Sequence, residues 1–179
     1  MTQSGTMLTL KPLIHRILED YSLPWHGTHG VVHWARVLEN GTRLAKETKA
    51  NIEVIQLFAI FHDFCRVNEG VDGGHGERGG NLALALRDKW LSLSDEEFDL
   101  LYEACAGHTD GLTEADITIQ TCWDADRLDL GRVGIFPELL RLCTEAAKNP
   151  EIIKWADGRA SFDVVPDFVR GEWGIDLGG

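Results

Sequence analysis

Ile52–Cys65, I-E-V-I-Q-L-F-A-I-F-H-D-F-C, has ten apolar positions and neither Pro nor Gly over nearly four helical turns. That length and composition suit a buried helix better than a strand. His62 and Asp63 therefore sit at the end of a core element. His62 shares a helix face with Phe58 and Ile55, so it cannot turn to water while they stay inside. A buried carboxylate costs several kcal/mol even after relaxation, and a cation coordinated by both side chains supplies the compensating charge. A histidine so placed is also commonly satisfied by a carbonyl, so the dipeptide gains meaning only if other segments offer further ligands.

The remaining chain bounds the answer. At 179 residues it suits one domain, 1–179, with a sizeable core. Apolar residues at 44% and charged residues at 26% are ordinary for a globular protein. The net charge of -12 argues against binding a nucleic-acid backbone, which takes clustered Lys and Arg. It leaves room for a small anionic substrate, because a metal and a few arginines can reverse the potential inside one pocket. Cys65, Cys105, Cys122 and Cys143 form no C-x-x-C pair, so neither a cysteine zinc site nor a disulfide framework is implied. Free cysteines fit a reducing cytosol, and no signal peptide or membrane-length apolar run is read at the N-terminus or elsewhere, so a soluble cytoplasmic protein without a membrane partner is expected.

Apolar spacing predicts a helix over 8–21 with Pro12 in its first turn, and another from about Gly30 to Lys49, weakened by Gly41 and carrying His33 at the edge of its apolar stripe. Arg66 to Gly80 reads as a polar loop holding Arg66, Glu69, Asp72, His75 and Arg78. Its G-x-G-x-x-G, Gly74–Gly79, lacks the preceding strand of a dinucleotide site. A helix is expected over Asn81–Leu91, and another opens with a capping box at Ser94 and Glu97 and closes at Gly107, before His108. Ile117–Leu130 is helical, with Ile119, Cys122, Trp123, Asp126 and Leu130 on one stripe and Asp124 and Asp129 less central. A helix over Pro137–Lys148 and a short one over Glu151–Asp157 follow. The tail 159–179 has no sustained periodicity; it packs irregularly through Phe162, Phe168 and Trp173, or docks on another subunit of a homo-oligomer. The class is all-α, with about six to eight helices.

His33, His62, Asp63 and Asp126 thus make a nitrogen and oxygen ligand set that suits Mn, Fe, Co, Ni, Zn or Mg without choosing between them. The ordered pattern H-W-A-R-V (His33), F-H-D-F (His62, Asp63) and D-A-D-R-L-D (Asp126) resembles the HD-domain superfamily of metal-dependent phosphohydrolases. The phrases H-G-x-x-H-W-A-R-V and C-W-D-A-D-R-L-D-L look like its small stand-alone bacterial proteins. The resemblance covers about Trp25 to Leu140 and implies a compact helical bundle, one divalent metal or two, and hydrolysis of a phosphate ester of a nucleotide or other small metabolite. Some members hold a second metal through extra histidines, places matched here by His75 and His108. Those two, with Arg78, are candidates for a second metal or for phosphate contact. Arg66 is a further phosphate candidate, and Glu69 or Asp72 a proton-transferring carboxylate. His26 and His29 are rival ligands or helix-entry residues. Two alternatives stay open: a catalytically silent nucleotide sensor that keeps its metal, and a di-iron oxygenase variant of the same site.

Overall fold

The computed structural model describes residues 9–178, which hold nine α-helices and no strand. In order these are α1 (Lys11–Leu18), α2 (Val31–Thr48), α3 (Ile52–Phe64), α4 (His75–Trp90), α5 (Asp95–Gly107), α6 (Ile117–Arg127), α7 (Glu145–Lys148), α8 (Pro150–Ser161) and α9 (Phe168–Gly171). Two 3-10 turns, Leu130–Val133 and Leu139–Arg141, link α6 to α7.

Helix α3 is the axis of the bundle, with residues 54–64 all buried and α2, α4, α5 and α6 packed around it. A helix apolar on every side has no solvent face to keep, which is why its sequence lacks a polar stripe. Its start is set by Asn51, whose side chain accepts from the Glu53 and Val54 amides at 2.9 and 3.2 Å. The Ser94–Glu97 capping box opens α5 as its sequence predicts. Helix α2 runs unbroken through Gly41, where a Cβ would overlap Ile55 Cγ2. The lost helix propensity at Gly41 accompanies a close α2–α3 crossing, on which His33 and His62 depend.

Four expectations are corrected. The polar loop ends earlier than read: α4 begins at His75, with Gly76, Gly79 and Gly80 inside it. A Cβ on Gly79 would overlap the Phe61 carbonyl oxygen, and one on Gly76 the Cys105 carbonyl oxygen. These glycines let α4 approach α3 and α5 at backbone distance, so tertiary packing overrides their poor propensity. Replacing Gly79 with Ala is expected to destabilise the fold by about 1–3 kcal/mol, the usual scale of overpacking, and to move His75 off its partners; urea unfolding and metal content would both register it.

The expected Pro137–Lys148 helix is instead a 3-10 turn followed by the single-turn α7. The buried Asp124 carboxylate takes the Cys143 and Thr144 amides at 2.7 and 2.8 Å, which holds the chain extended there. The helix expected over Glu151–Asp157 is longer, Pro150–Ser161. The tail packs on its own chain: Trp173 and Ile175 are buried in the main core, and His15 Nε2 donates to the Trp173 carbonyl at 2.8 Å. Phe162, expected inside, is 84% exposed. The expected first helix began at residue 8, which lies outside the described residues. Among those described, no helix is long and apolar enough to cross a membrane.

Candidate metal centre

Three helices deliver the central cluster. His33 comes from the first turn of α2, His62 and Asp63 from the last turn of α3, and Asp126 from the last turn of α6. His33 Nε2 lies 3.0 Å from His62 Nε2, 3.4 Å from Asp63 Oδ2 and 3.3 Å from Asp126 Oδ1. His62 Nε2 lies 3.8 and 3.7 Å from the same two oxygens. A second set meets the other oxygen of Asp63. His75, opening α4, and His108, just past α5, place their Nε2 atoms 3.0 and 3.6 Å from Oδ1 and 3.0 Å from each other. Asp63 thus stands between two pairs of imidazoles, one oxygen toward each.

The opposite edge of every ring decides what these nitrogens can do. His62 Nδ1 faces the Phe58 carbonyl at 3.0 Å, His108 Nδ1 the Cys105 carbonyl at 2.7 Å, His75 Nδ1 the Asp72 carbonyl, and His33 Nδ1 the Asp129 carboxylate at 2.7 Å. Each partner can only accept, so each Nδ1 carries the hydrogen and a neutral ring turns its Nε2 lone pair inward. Four lone pairs and two carboxylates then converge in a site almost closed to solvent. Such a donor set repels itself unless a cation, or a proton, stands among it, and imidazoles oriented through Nδ1 are the usual arrangement around bound metal. His33, His62 and Asp63, and likewise Asp63, His75 and His108, are placed to hold a divalent ion, and Asp126 borders the first of these groups.

Without the ion, a proton takes its place. Burial and the Arg132 charge oppose protonation of His33, but Asp126, Asp129 and Asp63 outweigh them and raise it to about 9. Burial holds His62 neutral, down to about 3. Burial would push Asp63 up, yet the surrounding histidines keep it well below the usual carboxylate range. For metal-free protein, the raised His33 value makes a stabilising contribution that is whole below about 6.5 and is lost as pH rises through about 9. A metal must displace that proton, so its apparent affinity is expected to rise up to about tenfold per pH unit towards 9. Metal titrations at several pH values, beside melting of the metal-free protein, check both signs.

The other residues singled out from sequence divide. Arg66 is buried against the second set, its Nη1 3.1 Å from His75 Nε2 and 3.6 Å from Asp63 Oδ1. Glu69 accepts from His29 Nδ1 at 2.6 Å, and the His29 ring lies edge-on to His33 at 6.3 Å. Asp72 and Arg78 are not brought into the cluster: they pair with each other at 2.7 Å, Asp72 also takes the Val67 amide, and Arg78 caps the Cys65 carbonyl. Together they hold the loop that sets His75. His26 is exposed.

Two residues of the centre escaped the sequence reading. Asp129, judged peripheral, is fully buried and orients His33, while Arg36 Nε holds Asp129 at 2.7 Å. The assumption of a helix through Leu130 misplaced Asp129, since α6 ends at Arg127 and the following turn swings the side chain inward. Asp124 is also fully buried, and Asp126, with its side chain 15% exposed, is the most open of the three.

No protein-family model matches the sequence, and no curated protein does. Among solved structures, a predicted HD superfamily hydrolase from an uncultured Thermotogales bacterium is similar: 28% identity, a TM-score of 0.61, and coverage of 90% of this chain and 88% of that one. The fold shared along nearly the whole chain is all-helical, and this chain carries a buried His/Asp cluster at residues of its ordered H...HD...D pattern, which fits an HD-type metal site.

Proposed function

We propose that this protein is a metal-dependent phosphohydrolase acting on a small phosphate ester. The observation that carries the proposal is the convergence of inward-facing imidazole lone pairs on both oxygens of Asp63, a donor set suited to cations. His33, His62, Asp63 and Asp126 hold the first ion, and Asp63, His75 and His108 offer a second position. A divalent ion held there lowers the pKa of a coordinated water and offsets charge on phosphoryl oxygens.

The chain's own groups supply the rest. Arg66, beside the second position, directs a guanidinium at the phosphoryl oxygens, which it can meet through two parallel hydrogen bonds. It also competes there with a second ion, because it already donates to His75. Burial lowers the pKa of His29, so the ring is neutral, and with Nδ1 bound to Glu69 it presents Nε2 as acceptor for the proton that the attacking water gives up. Asp72, tied to Arg78 and the Val67 amide, serves the loop and not the proton.

Metal analysis of the purified protein, then a screen of phosphomonoesters and cyclic nucleotides with Mn, Fe, Co, Ni, Zn and Mg, tests this. Phosphate release with at least one metal is expected, and it should vanish with the bound metal in Asp126→Ala. A carboxylate shared by two histidine pairs also suits a di-iron oxygenase. Iron-dependent oxygen uptake with no phosphate release under any metal would move the assignment there.

A further inference from the structure

An ester bound at this centre must lodge its organic group nearby, and a cavity of about 330 Å3 opens beside His108. His108 belongs to both: its Nε2 faces Asp63, and the residue forms part of the cavity wall. A cavity of similar size, about 340 Å3, lies by Trp155 and Arg43, but none of the histidine cluster lines it. The volume beside His108 falls at the low end of small-ligand sites.

Its walls are mainly apolar. Leu130, Ile135, Phe136, Pro137 and Leu142 line it, with Ile135 52% and Phe136 63% exposed. Of the two arginines in the wall, Arg127 has little left to offer a hydroxyl: it donates through Nη1 to the Arg141 carbonyl and through Nη2 to the Leu112 carbonyl, both at 2.7 Å. Arg141 donates through Nε to Glu138 at 3.2 Å. Polar groups of Thr109, Glu138 and Arg141 line it as well, beside the exposed Phe136. Here a flat ring can lie on Phe136 and displace water from exposed apolar surface.

Given the phosphohydrolase proposal above, on which this rests, we infer that the cavity beside His108 takes an apolar, ring-bearing organic group, making the substrate an aryl or heteroaryl phosphomonoester. The balance of the reaction is ordinary hydrolysis: water oxygen bonds to phosphorus, the P–O bond to the ring-bearing group breaks, and that group leaves as an alcohol or phenol.

The test compares binding of benzylphosphonate and methylphosphonate to Mn-loaded protein by calorimetry, with phosphate release from phenyl phosphate and glucose 6-phosphate measured in parallel. A hydrophobic pocket separates ligands differing by a single methylene by about 10–200-fold, so benzylphosphonate should bind at least about tenfold more tightly than methylphosphonate. That ratio should fall towards one in Phe136→Ala, whose exposed side chain can be truncated without opening the core. Leu140→Ala, 93% exposed and outside this cavity, should keep it. Equal binding of the two phosphonates, or an unchanged ratio in Phe136→Ala, overturns the inference even if phosphate is released. A Phe136-dependent preference without phosphate release from any ester upholds the cavity and sinks the hydrolase proposal instead.

Discussion

Asp63→Asn is expected to strip the protein of metal and of phosphate release while leaving it folded. Asp63 is the residue whose two oxygens face separate histidine pairs, at 3.4 and 3.8 Å on one side and 3.0 and 3.6 Å on the other. Asparagine keeps its shape but removes the charge, and its amide hydrogens point at imidazole lone pairs that the carboxylate leaves for a cation. Donation from that amide satisfies lone pairs of one histidine pair without an ion, while the amide oxygen faces the other. The metal-free variant should therefore stay folded, melting below metal-free wild type only by what Asp63 contributes to His33 protonation. Metal should stabilise only the wild type, by about 2.7 kcal/mol when free metal exceeds Kd a hundredfold. A metal contributes several kcal/mol to the transition state, so turnover should drop by roughly three orders of magnitude. Melting curves with and without chelator, beside elemental analysis, decide it. A variant holding stoichiometric metal would remove Asp63 from the centre.

Asp124→Ala should do the reverse, unfolding the protein far more readily while each folded molecule still loads metal. The Asp124 carboxylate accepts from the Cys143 amide, the Thr144 amide and the Thr144 hydroxyl at 2.7, 2.8 and 2.8 Å. Alanine leaves those donors without a partner and a void beside them. Unsatisfied buried donors cost about 1–3 kcal/mol each, so a loss of about 3–5 kcal/mol is expected against a typical total of about 5–15. Burial raises the Asp124 pKa, with the three hydrogen bonds opposing it. A raised carboxyl value means that its contribution is whole below the unfolded value and declines as pH rises through the folded one. The variant's deficit should therefore be largest in acid and smaller at neutral pH, which urea unfolding at two pH values would show. Loss of metal from the folded variant would mean that Asp124 acts on the centre directly.

These two aspartates show where sequence reading works and where it stops. Residues 124 and 126 stand about 200° apart around a helix, and an apolar stripe identifies one buried face. Asp126 lay on that stripe and does border the histidines. Asp124 lies on a second buried face, covered by the turn and single-turn helix after Leu139, and periodicity in α6 alone cannot reveal what another segment will cover. Asp129 was misplaced for a related reason, because helical extrapolation runs past the last hydrogen-bonded turn. The glycines of residues 73–80 looked like a loop since propensity is local, whereas the carbonyl oxygens of Phe61 and Cys105 that they accommodate belong to helices distant in the chain.

By itself, the sequence determined that the protein is all-helical, that α3 is its interior, and that His33, His62, Asp63 and Asp126 are candidates for one site. Those conclusions need only the 3.6-residue period, capping chemistry and the cost of burying charge, all of which act within a segment. The tertiary structure alone decided that Asp63 turns one oxygen to each histidine pair, that Asp129 and Arg36 set the orientation of His33, and that an apolar cavity adjoins His108. Each of these depends on how closely separate helices approach, and that distance is set by side-chain volumes and missing Cβ atoms on both partners at once.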